Sequence, residues 1–301
     1  MLFSKMMIFS IVIQSFYYTL RLSFSIACCL VLNILLPSPT FAQIDSEAAN
    51  KPLRIITLSP HLTEMVFALG KGEHLVAVSD YSDFPAAASD LKSVASYQGA
   101  NIAEIVRLQP SHVLVWRGGN KDADIEKLKA LNISVYESNI DSVESLLDDI
   151  AGIGVYIFEE QAAQTLIQQL TNSINAMAVQ YTNASINVVY YLSTRPLVGL
   201  GNDKWLNSLL GLCGITNVYA NSPSAYPQLQ LSDIIRRQPN MLIAASKANK
   251  LQLAQFWDAH KAVLTNVITR ANPDALHRFT PRAIAEMTQL CERVYAEPTL
   301  K

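Results

Sequence analysis

Five histidines, His61, His74, His112, His260 and His277, hold most of the chain's capacity for metal ligation or proton transfer near neutral pH. None stands in a His-x-x-x-His or His-Glu-x-x-His spacing, so no helix face offers two imidazoles to one metal. No Gly-x-Ser-x-Gly elbow and no phosphate-binding glycine loop occurs either. What remains is recognition chemistry carried by aromatic side chains in loops. Tyr81 lies in a Ser/Asp/Pro-rich stretch after an apolar run, and Trp116 closes another apolar run just before Arg117-Gly118-Gly119, which must be a loop. An aromatic in such a place gives a flat contact area at small entropic cost, as small-molecule clefts require. His61 and His277 are the histidines placed to reach such a cleft, as polar rim groups. Trp205 and Trp257 fall at packing positions of helical patterns and are assigned to the core.

The elements that must position these groups alternate between short β-rich apolar runs and helical patterns of about ten residues, the signature of βα units on a mostly parallel sheet. Strands are expected at Arg54 to Ser59, Leu75 to Ser79, His112 to Trp116 and Ile133 to Glu137. Helices are expected at Thr63 to Leu69, Ile102 to Leu108, Asp124 to Leu131 and Val143 to Ile150. From Phe158 to about Tyr181 there is no Gly or Pro, and the spacing predicts one helix of about six turns linking two halves. The alternation then restarts with strands at Ile186 to Leu192, Met241 to Ala245 and near Val263 to Ile268. Helices follow at Trp205 to Leu212, Leu251 to His260 and Arg282 to Ala296. A weak repeat supports two lobes: Ile102 to Val115 aligns without gaps on Leu231 to Ala244, each a helix stopped before proline, a turn and a buried strand. The fold class is therefore α/β, two Rossmann-like lobes with mostly parallel sheets joined by one long α-helix. The expected boundaries are a signal segment over 1–42, a first lobe over 43–156, the linking helix over 157–183 and a second lobe over 184–301.

From Met1 to Phe41 only Lys5 and Arg21 are charged. An apolar core from Leu22 to Leu36 meets Pro37-Ser38-Pro39 and ends in Thr40-Phe41-Ala42, a secretory signal with cleavage after Ala42. A retained membrane anchor and lipidation at Cys28 are the alternatives; Pro37 and the poor match of Ser25-Ile26-Ala27 to a lipobox argue against them. Cleavage leaves Cys213 and Cys291 in an oxidising compartment, as one disulfide or as two buried thiols. The net charge of -2, with no basic run, argues against a nucleic-acid partner.

Several stretches together resemble the periplasmic binding proteins whose two lobes are joined by a single rigid helix and which handle cobalamin, haem and ferric siderophores. Within that class they are similar to the cobalamin-binding subunit of the cobalamin ABC importer. They are Arg54-Ile-Ile-Thr-Leu-Ser-Pro60, Thr63-Glu64, Tyr81-Ser82-Asp83-Phe84-Pro85, Tyr97-Gln98-Gly99 and, most specifically, Trp116-Arg117-Gly118-Gly119-Asn120. In the second half, Tyr226-Pro227-Gln228, Arg278, Thr280-Pro281-Arg282 and the pair Cys213 and Cys291 occur in the family's order.

The resemblance implies a corrinoid ligand, with haem or a ferric siderophore as the alternative in the same class, held between aromatic surfaces with a few polar anchors and no catalysis or resident cofactor. It implies Tyr81, Tyr97, Trp116 and Arg117 on the first lobe's side of the cleft and Tyr226, Asp274 and Arg278 on the second's. It also implies a Cys213 to Cys291 disulfide, a periplasmic monomer and an inner-membrane ABC permease-ATPase complex as partner. Tyr97 and Tyr226 stand where the best-known cobalamin binders have tryptophan, so stacking area is smaller here. The family's docking acids, counted back from Pro110 and Pro239, fall on Ala103 and Ser232; Glu104 and Asp233, one residue later on each lobe, are assigned to docking instead.

Overall fold

The computed structural model describes residues 52–260 and 267–296. The expected signal segment, its cleavage point at Ala42 and residues 263–266 of the strand expected near Val263 to Ile268 lie outside the described residues.

The first sheet contains β1 (Ile55–Thr57), β2 (Leu75–Ser79), β3 (Ser93–Ser96), β4 (Gly99–Ala100), β5 (His112–Trp116) and β6 (Ser134–Ser138), in the order β4-β3-β2-β1-β5-β6. All neighbours pair parallel except the β3-β4 hairpin. Its helices are α1 (Pro60–Ala68), α2 (Ile102–Arg107), α3 (Asp122–Ala130) and α4 (Val143–Tyr156). Successive residues of a strand serve opposite layers. Ile55 and Leu114 join one core, whereas Ile56, Val113 and Val115 join another with Ile105, Ile125 and Leu128. Burial on both faces is why these strands read as continuous apolar runs rather than alternating ones.

The long helix α5 (Glu160–Gln180) starts two residues later than expected, because Phe158 takes a left-handed φ of 61° and the chain turns there. α4 runs six residues past its expected end and crosses α5 closely: a Cβ on Gly154 would lie 2.4 Å from the Ala163 Cβ, so only glycine permits the approach. Ala163, Leu170 and Met177, one every seven residues, form the buried stripe of α5 and belong to a core shared by both lobes.

The second sheet contains β7 (Ile186–Thr194), β8 (Leu197–Gly199), β9 (Ile215–Asn217), β10 (Met241–Ala245) and β11 (Val267–Ala271), in the order β11-β10-β7-β8 with β9 also on β7. Only β7-β8 is antiparallel. Its helices are α6 (Lys204–Gly211), α7 (Leu231–Arg237), α8 (Lys250–Asp258), α9 (Pro273–Leu276) and α10 (Pro281–Ala296). The two copies of the sequence repeat have matching backbones. α2 leads to β5 and α7 to β10, and Gln109 and Gln238, each just before a proline, both adopt a left-handed φ, of 48° and 46°. A residue before proline is excluded from the right-handed helix, and each glutamine turns the chain out of its helix instead. Cys213 and Cys291 form a disulfide that fastens the end of α6 to the middle of α10.

The candidate ligand site at the junction of the lobes

Most candidate groups follow the carboxyl end of a strand, where open α/β sheets bind ligands. Trp116 is the last residue of β5, and its indole lies on the loop that follows. A Cβ on Gly119 would come within 2.2 Å of the indole, and one on Gly118 within 2.6 Å. Asn120 fastens the loop, its Oδ1 accepting from the Trp116 amide at 2.7 Å and its Nδ2 donating to the Leu58 carbonyl at 2.8 Å. The Trp-Arg-Gly-Gly-Asn segment is thus a seat for one aromatic side chain. Arg117 is not drawn into that seat; it pairs with Glu137 on β6, which Lys129 also engages.

Tyr81, in the loop after β2, is 77% exposed and holds a left-handed φ of 63°, a conformation costly for a residue with a Cβ. The loop is fastened by Asp83 N to Tyr81 O at 3.0 Å and by a hydroxyl chain from Ser79 through Ser82 and Thr63 to Thr57. Tyr97, at the tip of the β3-β4 hairpin, is 84% exposed. Tyr226 in the second lobe is about half exposed, and its hydroxyl donates to Asp203 Oδ2 at 2.8 Å. Partial burial and that carboxylate push its phenol well above its ordinary range.

Besides the Lys204 to Asp141 ion pair at 3.0 Å, two sets of contacts cross between the lobes. One is ionic. Arg278 Nη1 donates to Glu64 Oε1 at 2.8 Å and to Asp83 Oδ1 at 2.7 Å, and its Nη2 to the Tyr81 carbonyl at 3.3 Å. Arg282 grips Glu64 at two points and lies over the Phe84 ring, 4.0 Å from its centroid. The Asp83 carboxyl is held below its ordinary range, chiefly by the Arg278 hydrogen bond.

The other set is aromatic. Phe279 meets His61 (5.2 Å between centroids) and Trp116 (5.5 Å) of the first lobe and Trp205 (5.2 Å) of its own. His61 is not the polar rim group expected from sequence. It is buried, its Nδ1 bonded to Ser59 Oγ at 2.7 Å, and burial with the nearby Arg278 charge lowers its pKa to about 3. His277 is likewise turned inward, its Nε2 at 2.8 Å from the Tyr190 hydroxyl. Trp205 and Trp257 are buried, as their helical positions suggest.

Sequence reasoning missed Phe279, Glu64 and Arg282 as partners across the junction. All three sit inside or beside the stretches that carried the resemblance, but residue type alone gives no sign of which lobe they touch. Asp274 stands after β11 and pairs with Lys247.

Away from the junction, Glu104 and Asp233 occupy equivalent places in the two repeats, and each is engaged by the arginine three residues on. Glu104 takes Arg107 and Lys92; Asp233 takes Arg236, Arg237 and the Tyr219 hydroxyl. These hydrogen bonds hold both carboxyls low, each at about 2. Asp233 also lines a surface hollow of about 560 Å³ with Tyr219, Gln228 and Arg237.

Residues 55–266 match the periplasmic binding protein family. The chain belongs to that family. Among its relatives, the vitamin B12-binding protein of Vibrio parahaemolyticus is 31% identical over 268 residues, covering 88% of this chain and 95% of the relative. That of Vibrio cholerae is 32% identical over 269 residues, covering 87% and 97%. The crystal structure of the periplasmic vitamin B12 binding protein of Vibrio cholerae superposes with a TM-score of 0.72 at 31% identity, covering 81% of this chain and 96% of that one. The periplasmic heme binding protein of Vibrio cholerae shares the fold, with a TM-score of 0.70 at 24% identity and coverage of 81% and 100%.

Proposed function

We propose that this periplasmic binding protein captures cobalamin or a closely related corrinoid between its lobes and delivers it to an inner-membrane ABC permease-ATPase complex. The observation that carries the reading is the coincidence of the vitamin B12-binding relatives, nearly full-length, with exposed aromatics on strand-end loops of both lobes. A corrinoid is a broad, largely apolar macrocycle fringed with amides. Tyr81, Tyr97 and Trp116 offer the first lobe's stacking faces and Tyr226 the second's, while Arg117, Asp274 and Arg278 supply polar contacts to the fringe amides. Arg278 reaches the ligand by exchanging its exposed partner, Asp83, while Glu64 keeps hold of it. No bond is made or broken in this cycle; the role is binding alone, and the ligand is cargo.

The chain is exported as a monomer, with residues 1–42 its signal and cleavage near Ala42. The first lobe spans 43–156, the linking helix 157–183 and the second lobe 184–301. Glu104 and Asp233 form the two docking points on the permease, which must offer cations to replace Arg107 and Arg236. Equilibrium titration with cyanocobalamin, haem and a ferric siderophore tests the ligand. Binding of the first is expected; binding of haem alone would transfer the protein to the other ligand class. Charge reversal of both Glu104 and Asp233 is expected to abolish uptake without changing affinity, and intact uptake would remove the docking assignment.

A further inference from the structure

Beside the junction, the second lobe contains a cavity of about 380 Å³ lined by Ser246, Lys247, Arg270, Asn272, Asp274, Glu286, Gln289 and Arg293. Ser246 and Lys247 follow the carboxyl end of β10, and Asn272 and Asp274 follow that of β11. This is the same edge of the sheet from which Arg278 reaches Tyr81 in the first lobe. One hydrogen bond joins cavity and junction: the Asp274 carbonyl accepts from Arg282 Nη2 at 3.0 Å, and Arg282 grips Glu64. The far wall is one face of α10, where Glu286, Gln289 and Arg293 stand at i, i+3 and i+7.

The charges of this wall are unbalanced. Lys247 pairs with Asp274, and Arg293 Nη2 donates to Glu286 Oε1 at 2.7 Å. Arg270 is left over, its guanidinium meeting among the described residues only the Ala248 carbonyl, at a long 3.5 Å. Arg293 Nε is buried with no acceptor among the described residues. Three cations therefore face two carboxylates, with one buried N–H still to be satisfied. A guanidinium in that condition selects a phosphate or carboxylate oxygen, which accepts charge-assisted hydrogen bonds in a forked geometry. The volume suits a side group and is too small for a macrocycle.

We propose that this cavity is an anion subsite that takes the phosphodiester of the nucleotide tail of a complete corrinoid, with Arg270 and Arg293 as its donors. The inference rests on the corrinoid reading above and deepens it: the ring lies between the lobes, the tail enters the cavity, and the protein prefers cobalamin to cobinamide, which lacks both nucleotide and phosphate. Free inorganic phosphate shares the oxygen chemistry and would compete for the same donors.

The test compares the whole chain with its Arg270→Gln and Arg293→Gln variants by calorimetric titration with cyanocobalamin and with dicyanocobinamide, each with and without 50-fold excess inorganic phosphate. The wild type is expected to bind cobalamin at least tenfold more tightly. Arg270→Gln, a surface change with little risk to folding, is expected to remove most of that preference by weakening cobalamin alone. Phosphate is expected to weaken cobalamin and leave cobinamide unchanged. Equal affinity for the two corrinoids in the wild type, or an unchanged preference in both variants, overturns the subsite and leaves the corrinoid reading standing. Phosphate binding to the wild type with no effect on cobalamin also overturns it, as a free-anion site only. Binding of neither corrinoid defeats the underlying reading instead.

Discussion

Glu64 and Arg282 join the lobes through two hydrogen bonds, Nη2 to Oε1 at 2.6 Å and Nε to Oε2 at 3.1 Å, around a carboxylate whose side chain is only 3% exposed. Arg278 adds a third donor to the same group. Removing the carboxylate leaves Arg282 without its anion and Arg278 with only the more exposed Asp83. Breaking a buried pair from one side costs about 3–5 kcal/mol, and the partial exposure of both arginines places this one at the lower end. Glu64→Gln is therefore expected to lower the unfolding free energy by about 3 kcal/mol in urea, and Glu64→Asp by less. A loss below about 1 kcal/mol for the glutamine variant would show that the Glu64 carboxylate contributes little to holding the lobes together.

The glycines under Trp116 make a second expectation. At Gly119 an added methyl meets the six-membered ring of the indole and must displace it. Gly119→Ala is expected to cost about 1–3 kcal/mol through overpacking and to alter the near-ultraviolet circular dichroism as Trp116 leaves its seat. Corrinoid affinity should fall with it. Gly211, at the end of α6, has open space where a Cβ would go. Gly211→Ala should be neutral or slightly stabilising, by up to about 1 kcal/mol. A spectrum unchanged by Gly119→Ala would mean that Trp116 does not depend on the loop for its position.

His61 predicts a pH dependence. Its folded pKa of about 3 lies below the ordinary imidazole value of 6.5, so between those values the unfolded chain binds a proton that the folded chain refuses. Stability from this group is complete above 6.5 and is lost as pH falls through the window, at up to about 1.4 kcal/mol per pH unit. Carboxylates titrate in part of the same range, so the informative quantity is the difference from His61→Leu. The variant is expected to gain on the wild type steadily from pH 6.5 downward, with the difference between them constant above pH 7. Parallel curves would place a charged imidazole at the junction.

Much of this architecture was legible in the sequence. Leu75–Ser79, His112–Trp116 and Met241–Ala245 fall where continuous apolar runs predict them, because strands covered on both faces must be apolar throughout. The linking helix was legible from its lack of helix breakers, and only the left-handed turn at Phe158, which no residue type announces, displaced its start. The short strands β3, β4, β8 and β9 were not. Two to four residues carry no measurable period, and they exist because a neighbouring strand edge pairs with them. The candidate site divides along the same line. Tyr81 followed from loop composition and family resemblance, and Tyr97 from the resemblance alone. The contacts that join Phe279 to His61 and Arg278 to Glu64 connect residues some two hundred positions apart, and only the packing of two lobes brings them together.

The Cys213 to Cys291 disulfide closes a loop over a sequence separation of 78 residues and ties α6, which carries Trp205 against Phe279, to α10, which carries Arg282. In the chain-entropy account a loop of that length stabilises the folded state by about 4.5 kcal/mol, by restricting the unfolded chain. The bond is fully buried, with both cysteines at 0% exposure, so replacing them by alanines leaves a small apolar gap that adds to the loss. The double variant Cys213→Ala/Cys291→Ala is expected to unfold at a lower denaturant midpoint by an amount equivalent to about 5 kcal/mol, with corrinoid affinity nearly unchanged at 25 °C. The two lobes keep their core and the Glu64 bridge, so the site itself survives. If affinity fell in step with stability, the disulfide would be positioning the second lobe's side of the junction, and the contact of Trp205 with Phe279 would be the place to look for the displacement.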